Sequence, residues 1–159
     1  MAHKIVGKES RIVLVHGMGE EISGKKPVLI LSITQIEEFI NTISLYPIPF
    51  APDYLLGVCL WRKKIIPVVD TFRRFGFKTP ELSSDDRYLV IKTPGKGDGE
   101  KQLLQGILKI SKQIVTTKIP DSCSPASIKS YDIDKNFIKG IFEYQDALMI
   151  VPDLASIFS

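Results

Sequence analysis

The stretch Tyr54–Gly76, YLLGVCLWRKKIIPVVDTFRRFG, constrains the fold of this chain more than any other. Two apolar runs, Tyr54–Trp61 and Ile65–Val69, flank the basic triplet Arg62-Lys63-Lys64. Runs rich in β-branched and aromatic residues, joined by a few polar ones, predict a β-hairpin. Neither run alternates cleanly between apolar and polar residues, which predicts that protein covers both faces. Asp70 is placed to cap a short helical turn, with Phe72 and Phe75 packing inward and Gly76 ending it.

A second copy of this unit lies near the other end of the chain. Phe137-Ile-Lys-Gly140 matches Tyr54-Leu-Leu-Gly57 in character, and thirteen residues after each glycine stands an aspartate, Asp70 or Asp153. Five residues after each aspartate stands a phenylalanine, Phe75 or Phe158. Two copies of strand, hairpin, strand, Asp and turn predict two lobes of similar build, too few for a solenoid. Short β elements with little helix point to small antiparallel barrels, which close their own edges.

The intervening chain fits that plan. Residues 1–10 are polar and expected to be loose. Arg11–His16 and Val28–Leu31 are strand candidates, with a long glycine-containing turn between them. Thr34 and Glu37 have capping-box spacing, and Ile36, Phe39, Ile40 and Ile43 recur at helical intervals. One to two helical turns are expected there, although the β-branched residues also permit strand. The prolines of Tyr46–Pro52 impose an extended lead into the hairpin. Lys78–Asp86 is a polar connector, Arg87–Lys92 a strand, and Thr93–Lys101 a glycine-rich turn. Leu103–Thr117 reads as two strands with Gly106 near a bulge or bend, with helix still open. Pro120–Tyr131 is expected as a polar loop, Phe137–Ile141 and Ala147–Val151 as a last hairpin, and Asp153–Phe158 as a helical turn.

Chemistry is sparse. The 159 residues suit one domain or a pair of small lobes, and 44% hydrophobic content is that of a globular protein. A net charge of +3, spread along the chain, is a weak argument for nucleic acid. Cys59 and Cys123 are far apart, form no zinc pattern, and do not make a disulfide framework; Cys59 reads as a small buried hydrophobe. The N-terminus lacks the apolar core of a signal peptide, and no apolar run approaches the roughly 20 residues that span a bilayer, so a cytoplasmic location without membrane insertion is expected. His16-Gly17 after a strand resembles part of a hydrolase oxyanion hole. No G-x-S-x-G elbow and no later histidine accompany it. Gly17-Met-Gly19 and Gly95–Lys101 lack nucleotide-binding spacing, and read as hairpin loops. The pairs Glu20/Glu21, Glu37/Glu38 and Asp85/Asp86 are adjacent, so they point apart on a strand and carry no acid–base signature. With His3 and His16 alone, no metal set is proposed. No catalytic, cofactor or metal residue is assigned. The basic residues Arg62, Lys63, Lys64, Arg73 and Arg74 are read as a solvated tip and turn, as a nucleic-acid patch, or as a protein-binding surface. The nearby aromatics fall in the apolar runs, which weakens the nucleic-acid reading.

At this stretch the sequence resembles the CheW-like family of chemotaxis coupling proteins, whose pattern is G-V-x-N-L-R-G-x-I-x-P-V-x-D-L. Gly57-Val58, Arg62, Ile65, Pro67-Val68 and Asp70 fill it after a proline-rich lead from Pro47 to Pro52. Ile36-Glu37-Glu38-Phe39 falls where the family has V-x-E-I, and Phe137–Gly140 with Asp153-Leu154 match the closing signature. The resemblance runs over roughly 25–158 and is strongest over 46–75. It implies two small five-stranded SH3-like barrels packed together, mainly β with short helical turns. A first lobe is expected at about 25–80 and a second at about 85–158, with strands exchanged between lobes and residues 1–24 as an N-terminal segment with the first strand. It also implies a non-enzymatic adaptor, associated with membrane receptor arrays, that links chemoreceptor (methyl-accepting chemotaxis protein) signalling tips to a CheA-type histidine kinase, with a hydrophobic groove between the barrels taking the receptor helix. Ile36, Glu38, Gly57 and Arg62 match positions of receptor or kinase contact, and Lys63 and Lys64 extend the tip. Leu60, Trp61 and Lys63 stand where the family has Asn, Leu and Gly. Lysine in place of that glycine predicts a reshaped turn. Lys109–Lys112 stands where the second lobe carries an acidic segment, and Pro152 removes a backbone donor before Asp153. Two alternatives stay open: a CheW-like module for another chemosensory partner, such as a pilus-linked system, and a small β-barrel nucleic-acid binder.

Overall fold

The central hairpin forms as expected, and a second sheet is built on the same plan. The computed structural model describes residues 11–17, 21–83, 85–96, 102–110, 114–118, 124–127, 131 and 133–159. Residues 1–10, expected to be loose, residues 18–20 and 97–101 of the two expected glycine-containing turns, Lys112 and Cys123 lie outside the described residues. The strands are β1 (Arg11–His16), β2 (Lys26–Ser32), β3 (Ile36–Ile40), β4 (Leu55–Trp61), β5 (Lys64–Val69), β6 (Arg87–Pro94), β7 (Leu103–Ile110), β8 (Ile114–Lys118), β9 (Ser124–Ala126), β10 (Ile138–Tyr144) and β11 (Ala147–Pro152). Two short helices, α1 (Thr71–Arg74) and α2 (Leu154–Phe158), follow β5 and β11.

These strands form a six-stranded sheet, β8-β1-β2-β11-β10-β9, and a five-stranded sheet, β3-β6-β7-β5-β4. Membership does not follow chain order: β3 leaves β2 to pair with β6, and β8 leaves β7 to pair with β1. In each sheet one hairpin, β1–β2 or β6–β7, lies parallel to the second strand of another, β11 or β5. The mainly β, two-unit build is as expected, but in place of two five-stranded barrels stand sheets of six and five strands. Among the described residues, backbone pairing closes neither sheet into a barrel.

The internal repeat is visible in backbone chemistry. The Asp70 N–H donates to the Tyr54 carbonyl at 2.8 Å, and the Asp153 N–H to the Phe137 carbonyl at 2.9 Å. Each carboxylate then accepts the N–H three residues on, from Arg73 or Ser156, at 3.2 Å, capping its helix. Register shifts fall at Leu55/Gly57 and Ile138/Gly140. At the first of these Gly57 is obligatory. Its φ is +152°, and a Cβ there would stand 2.4 Å from the Tyr46 carbonyl oxygen. Tyr46 and Val58 exchange two backbone hydrogen bonds of 2.9 Å across this close approach.

Three expectations are corrected. Residues 36–43 do not form helix: the capping box sits two residues earlier, with the Gln35 side chain accepting from the Ser32 N–H at 3.3 Å, and only one 3-10 turn, Ile33–Gln35, follows. Ile36 and Ile40, β-branched, then pair with Ile91 and Tyr88 of β6, which satisfies their backbone in a ladder. Gly106 marks no bulge, because β6–β7 pairing runs unbroken from Arg87↔Ile110 to Pro94↔Leu103. Its missing side chain makes room for the Phe158 ring. Pro125 lies in the edge strand β9, opposite Phe142, where a missing donor is tolerated.

Two cores result. The larger lies between the sheets and joins Leu29, Leu31, Leu148 and Ile150 to Phe75, Leu89 and Leu108. The smaller lies on the other face of the five-stranded sheet and joins Cys59, Trp61, Ile66, Val68, Tyr88, Val90 and Ile107. Alternate residues of β6 thus serve both cores, Leu89 one and Val90 the other, which explains its unbroken apolar run. The hairpin β4–β5 is different. Leu60 and Ile65 are 64% and 74% exposed, so its outer face is open and the expectation of cover on both faces is wrong there.

Candidate protein-interaction site

The asymmetric tip of β4–β5 is built on a tight turn. Trp61 pairs with Lys64, leaving Arg62 and Lys63 as the two central residues with φ of 46° and 66°. Positive φ at both is the backbone of a type I′ turn, normally made with Asn or Gly. The expected reshaping does not occur; the two cations accept the strain, roughly 1 kcal/mol each, and are held out into solvent.

Beside this turn Trp61 points inward, and its Nε1–H donates to Glu38 Oε2 at 3.0 Å. The Arg62 guanidinium stacks over the Trp61 ring, 4.5 Å from its centroid, with Nη2 3.7 Å from the same carboxylate oxygen. Glu38 belongs to β3 and Trp61 to β4, the two opposite edges of the sheet. Side chains therefore join edges that no backbone bond joins. Lys64 Nζ donates to Gln105 Oε1 at 3.1 Å, and Gln105 Nε2 donates to Glu37 Oε1 at 2.8 Å, a second bridge across β5, β7 and β3. With side chains 68% and 42% exposed, the Arg62–Glu38 pair is worth under about 1 kcal/mol. Its consequence is position: a charged lip fixed over a groove of mixed lining, in which Phe39, Ile40, Ile43 and Leu60 alternate with Asn41, Thr42 and Ser44.

Of the residues singled out in the sequence, Glu38, Arg62, Lys63 and Lys64 gather at this end of the sheet. Ile36 packs from the start of β3 against the larger core, and Gly57 is buried at the bulge at the far end of β4. Arg73 and Arg74 are not part of the tip. Arg73 Nε donates to Thr79 Oγ1 at 2.7 Å and lies 3.5 Å from Asp70. Arg74 sits 3.4 Å from the Phe137 ring centroid and 3.7 Å from Asp134, tying the repeats together. The five cations considered as a nucleic-acid patch thus separate into an exposed three and a half-buried two. Cys59 is buried as expected, and burial pushes its thiol pKa up. Among the described residues, no cluster of His, Cys, Asp and Glu is arranged to hold a metal.

Sequence reasoning missed the role of Trp61; a buried indole needs an acceptor, but nothing in the sequence brings Glu38 of β3 to it across the sheet. It also missed Lys109, which is buried with Nζ 3.5 Å from Asp70 and 4.0 Å from Asp86, and donates to the Pro80 carbonyl at 3.2 Å. These groups and His16 wall a cavity of about 170 Å³ where connector 78–86 meets both sheets. That is smaller than the usual ligand pocket.

Comparison with known proteins agrees with this architecture. A family model for the CheW-like domain matches residues 13–159. The chain is 27% identical over 157 residues to a chemotaxis protein CheW of Treponema pallidum, covering 97% of this chain and 85% of the relative. It is 23% identical over 128 residues to a chemotaxis protein CheW of Rhizobium meliloti, covering 80% and 78%. The crystal structure of the scaffolding protein TtCheW from Thermoanaerobacter tengcongensis superposes with a TM-score of 0.65 at 24% identity, over 95% of this chain and 88% of that one. Matched from its first described strand to its last residue, the chain belongs to the CheW-like domain family.

Proposed function

We propose that this protein is the adaptor that links chemoreceptor cytoplasmic tips to a CheA-type histidine kinase. Membership in the CheW-like family supplies the broader role, a non-catalytic scaffold in chemotaxis signalling. The observation that carries the finer reading is the lip at Glu38, Trp61 and Arg62, where an always-charged fork is held at the sheet edge beside a groove with both apolar and polar lining. Such a groove suits an amphipathic helix, and the guanidinium suits carboxylates or carbonyls. On this reading Glu38, Arg62, Lys63 and Lys64 meet the partner, Ile36 and Gly57 shape the strands behind them, and each sheet curls as an SH3-like barrel with strands exchanged between lobes. The work takes place in the cytoplasm at receptor arrays; no helix among the described residues is long and apolar enough to cross a membrane.

Co-sedimentation with a receptor signalling-tip fragment and with the kinase regulatory domain tests the reading. Arg62→Ala should weaken coupling to at least one of them and shift Tm by no more than about 3 °C, because the exposed pair contributes under about 1 kcal/mol. Absence of binding to either fragment at high-micromolar concentration would overturn it.

A further inference from the structure

We infer that the outer face of the β4–β5 hairpin is a second docking surface, built for an acidic amphipathic helix. Side chains alternate along β4, so Cys59 and Trp61 enter the small core while Val58 and Leu60 face outward. Register places Leu60 opposite Ile65 and Val58 opposite Pro67, and the Tyr46–Val58 bridge adds Tyr46 to the second row. Five apolar residues thus form two adjoining rows on one face, and Tyr46, Leu60 and Ile65 are each more than half exposed. A contiguous exposed apolar face of this kind marks an interaction site.

Charge and backbone geometry select the occupant. The rim carries Arg62, Lys63 and Lys64; Glu38 is engaged by Arg62 and Trp61, Lys64 is bonded to the neutral Gln105, and Lys63 has no carboxylate partner among the described residues. A second copy would bring another cationic rim to this face and not the carboxylates that would complement it. Strand addition at the β4 edge is blocked where Tyr46 already takes both backbone bonds of Val58. Tyr46 is the one aromatic ring among these five residues, and the aliphatic Val58, Leu60 and Ile65 with Pro67 make no platform on which successive bases could stack. What remains is side-chain packing on the face with carboxylates meeting the rim, which an amphipathic helix flanked by Glu or Asp provides. This deepens the adaptor reading by naming the chemistry of one partner surface, and it rests on that reading only in taking the partner to be a protein.

Trp61, the single tryptophan of the chain, stacks under Arg62 and is a built-in reporter. The full chain would be titrated by Trp fluorescence with a tryptophan-free 20-residue helical peptide carrying a leucine stripe and glutamates. The same peptide with lysines, and a single-stranded oligonucleotide, serve as comparisons. Saturable binding of the glutamate peptide alone is expected, weakened at least tenfold by Ile65→Ser and by Lys63→Glu. Leu60→Asn gives a second route should Ile65→Ser fold poorly. No binding, equal binding of both peptides, tighter binding of the oligonucleotide, or an unchanged affinity in the folded variants would overturn the inference. So would a dimer in sedimentation that Ile65→Ser dissolves. Failure of the adaptor reading shows separately, as loss of receptor-tip and kinase binding by the wild-type chain.

Discussion

Gly106→Ala tests how the two sheets are held together. Gly106 lies mid-strand in β7, within the five-stranded sheet, and needs no glycine for its backbone. A Cβ at this position would stand 2.3 Å from Cε1 of Phe158 and 2.6 Å from two more ring atoms, distances that no packed side chains sustain. Phe158 belongs to α2, which follows β11 of the other sheet, and its half-buried ring packs on the larger core. Alanine must therefore expel the ring. Losing half the burial of a phenylalanine costs about 1 kcal/mol, and residual crowding adds about 1 kcal/mol more. A total of about 2 kcal/mol lowers Tm by about 4–8 °C in a domain of this size. Thermal melts of Gly106→Ala, Phe158→Ala and the double variant complete the cycle. Once the ring is gone, the alanine should cost little, giving a coupling of about 1 kcal/mol or more. Additive losses would refute the packing argument, since they would place the cost of Gly106→Ala in the strand itself.

Three further outcomes are expected. Lys109→Met strips a cation from buried Asp70 and Asp86 and should cost about 3 kcal/mol; in urea melts, adding Asp86→Asn should recover part of it. Burial raises the Asp153 pKa, but hydrogen bonds from Lys96 and Ser156 outweigh it and leave the carboxyl below its usual range. A depressed folded-state pKa contributes stability above the unfolded value, near 3.9, that is lost as pH falls through the folded one. Asp153→Asn should therefore flatten the acid limb of a Tm-against-pH curve. Phe50 is fully exposed with φ of 62°, so Phe50→Asn should raise stability by about 0.5–1 kcal/mol; an unchanged urea midpoint would count against strain at that turn.

Legibility followed the range of the interactions. Asp70 and Asp153 were readable as caps because a cap is local: a carboxylate three residues before the N–H it accepts. The hairpins were readable for the same reason. Sheet membership was not, because the pairings of β3 with β6 and of β8 with β1 join residues about 50 and 105 positions apart, and nothing in either strand names its partner. The helical spacing of Ile36, Phe39, Ile40 and Ile43 misled because β-branched residues at i and i+4 fit either period until a neighbouring strand decides. At the site, Glu38 and Arg62 came from family pattern, whereas the indole between them departs from that pattern and its role is visible only once the sheet edges meet. Lys109 escaped notice because its counter-ions, Asp70 and Asp86, are contributed by a helix cap and a connector distant in sequence.

The repeat also explains why the two hairpin tips differ in use. In the second copy the tip at Gln145-Asp146 is held by its own chain: the Lys26 N–H donates to the Asp146 carbonyl at 2.8 Å, Lys26 Nζ stands 3.6 Å from the Asp146 carboxylate, and Lys25 Nζ donates to the Gln145 carbonyl at 3.2 Å. These contacts hold it against the start of β2, where the parallel pairing with β11 begins at Lys26↔Ala147. In the first copy the parallel pairing of β5 with β7 begins only at Val68↔Ile107, four residues beyond the start of β5. The first tip therefore projects past its neighbour with Arg62 and Lys63 unburied and the Leu60–Ile65 pair uncovered behind them. Both tips stay in solvent, but the duplicated unit ties the backbone of one to the start of a neighbouring strand and leaves the other projecting, a difference that follows the register of the parallel strand pair beside each.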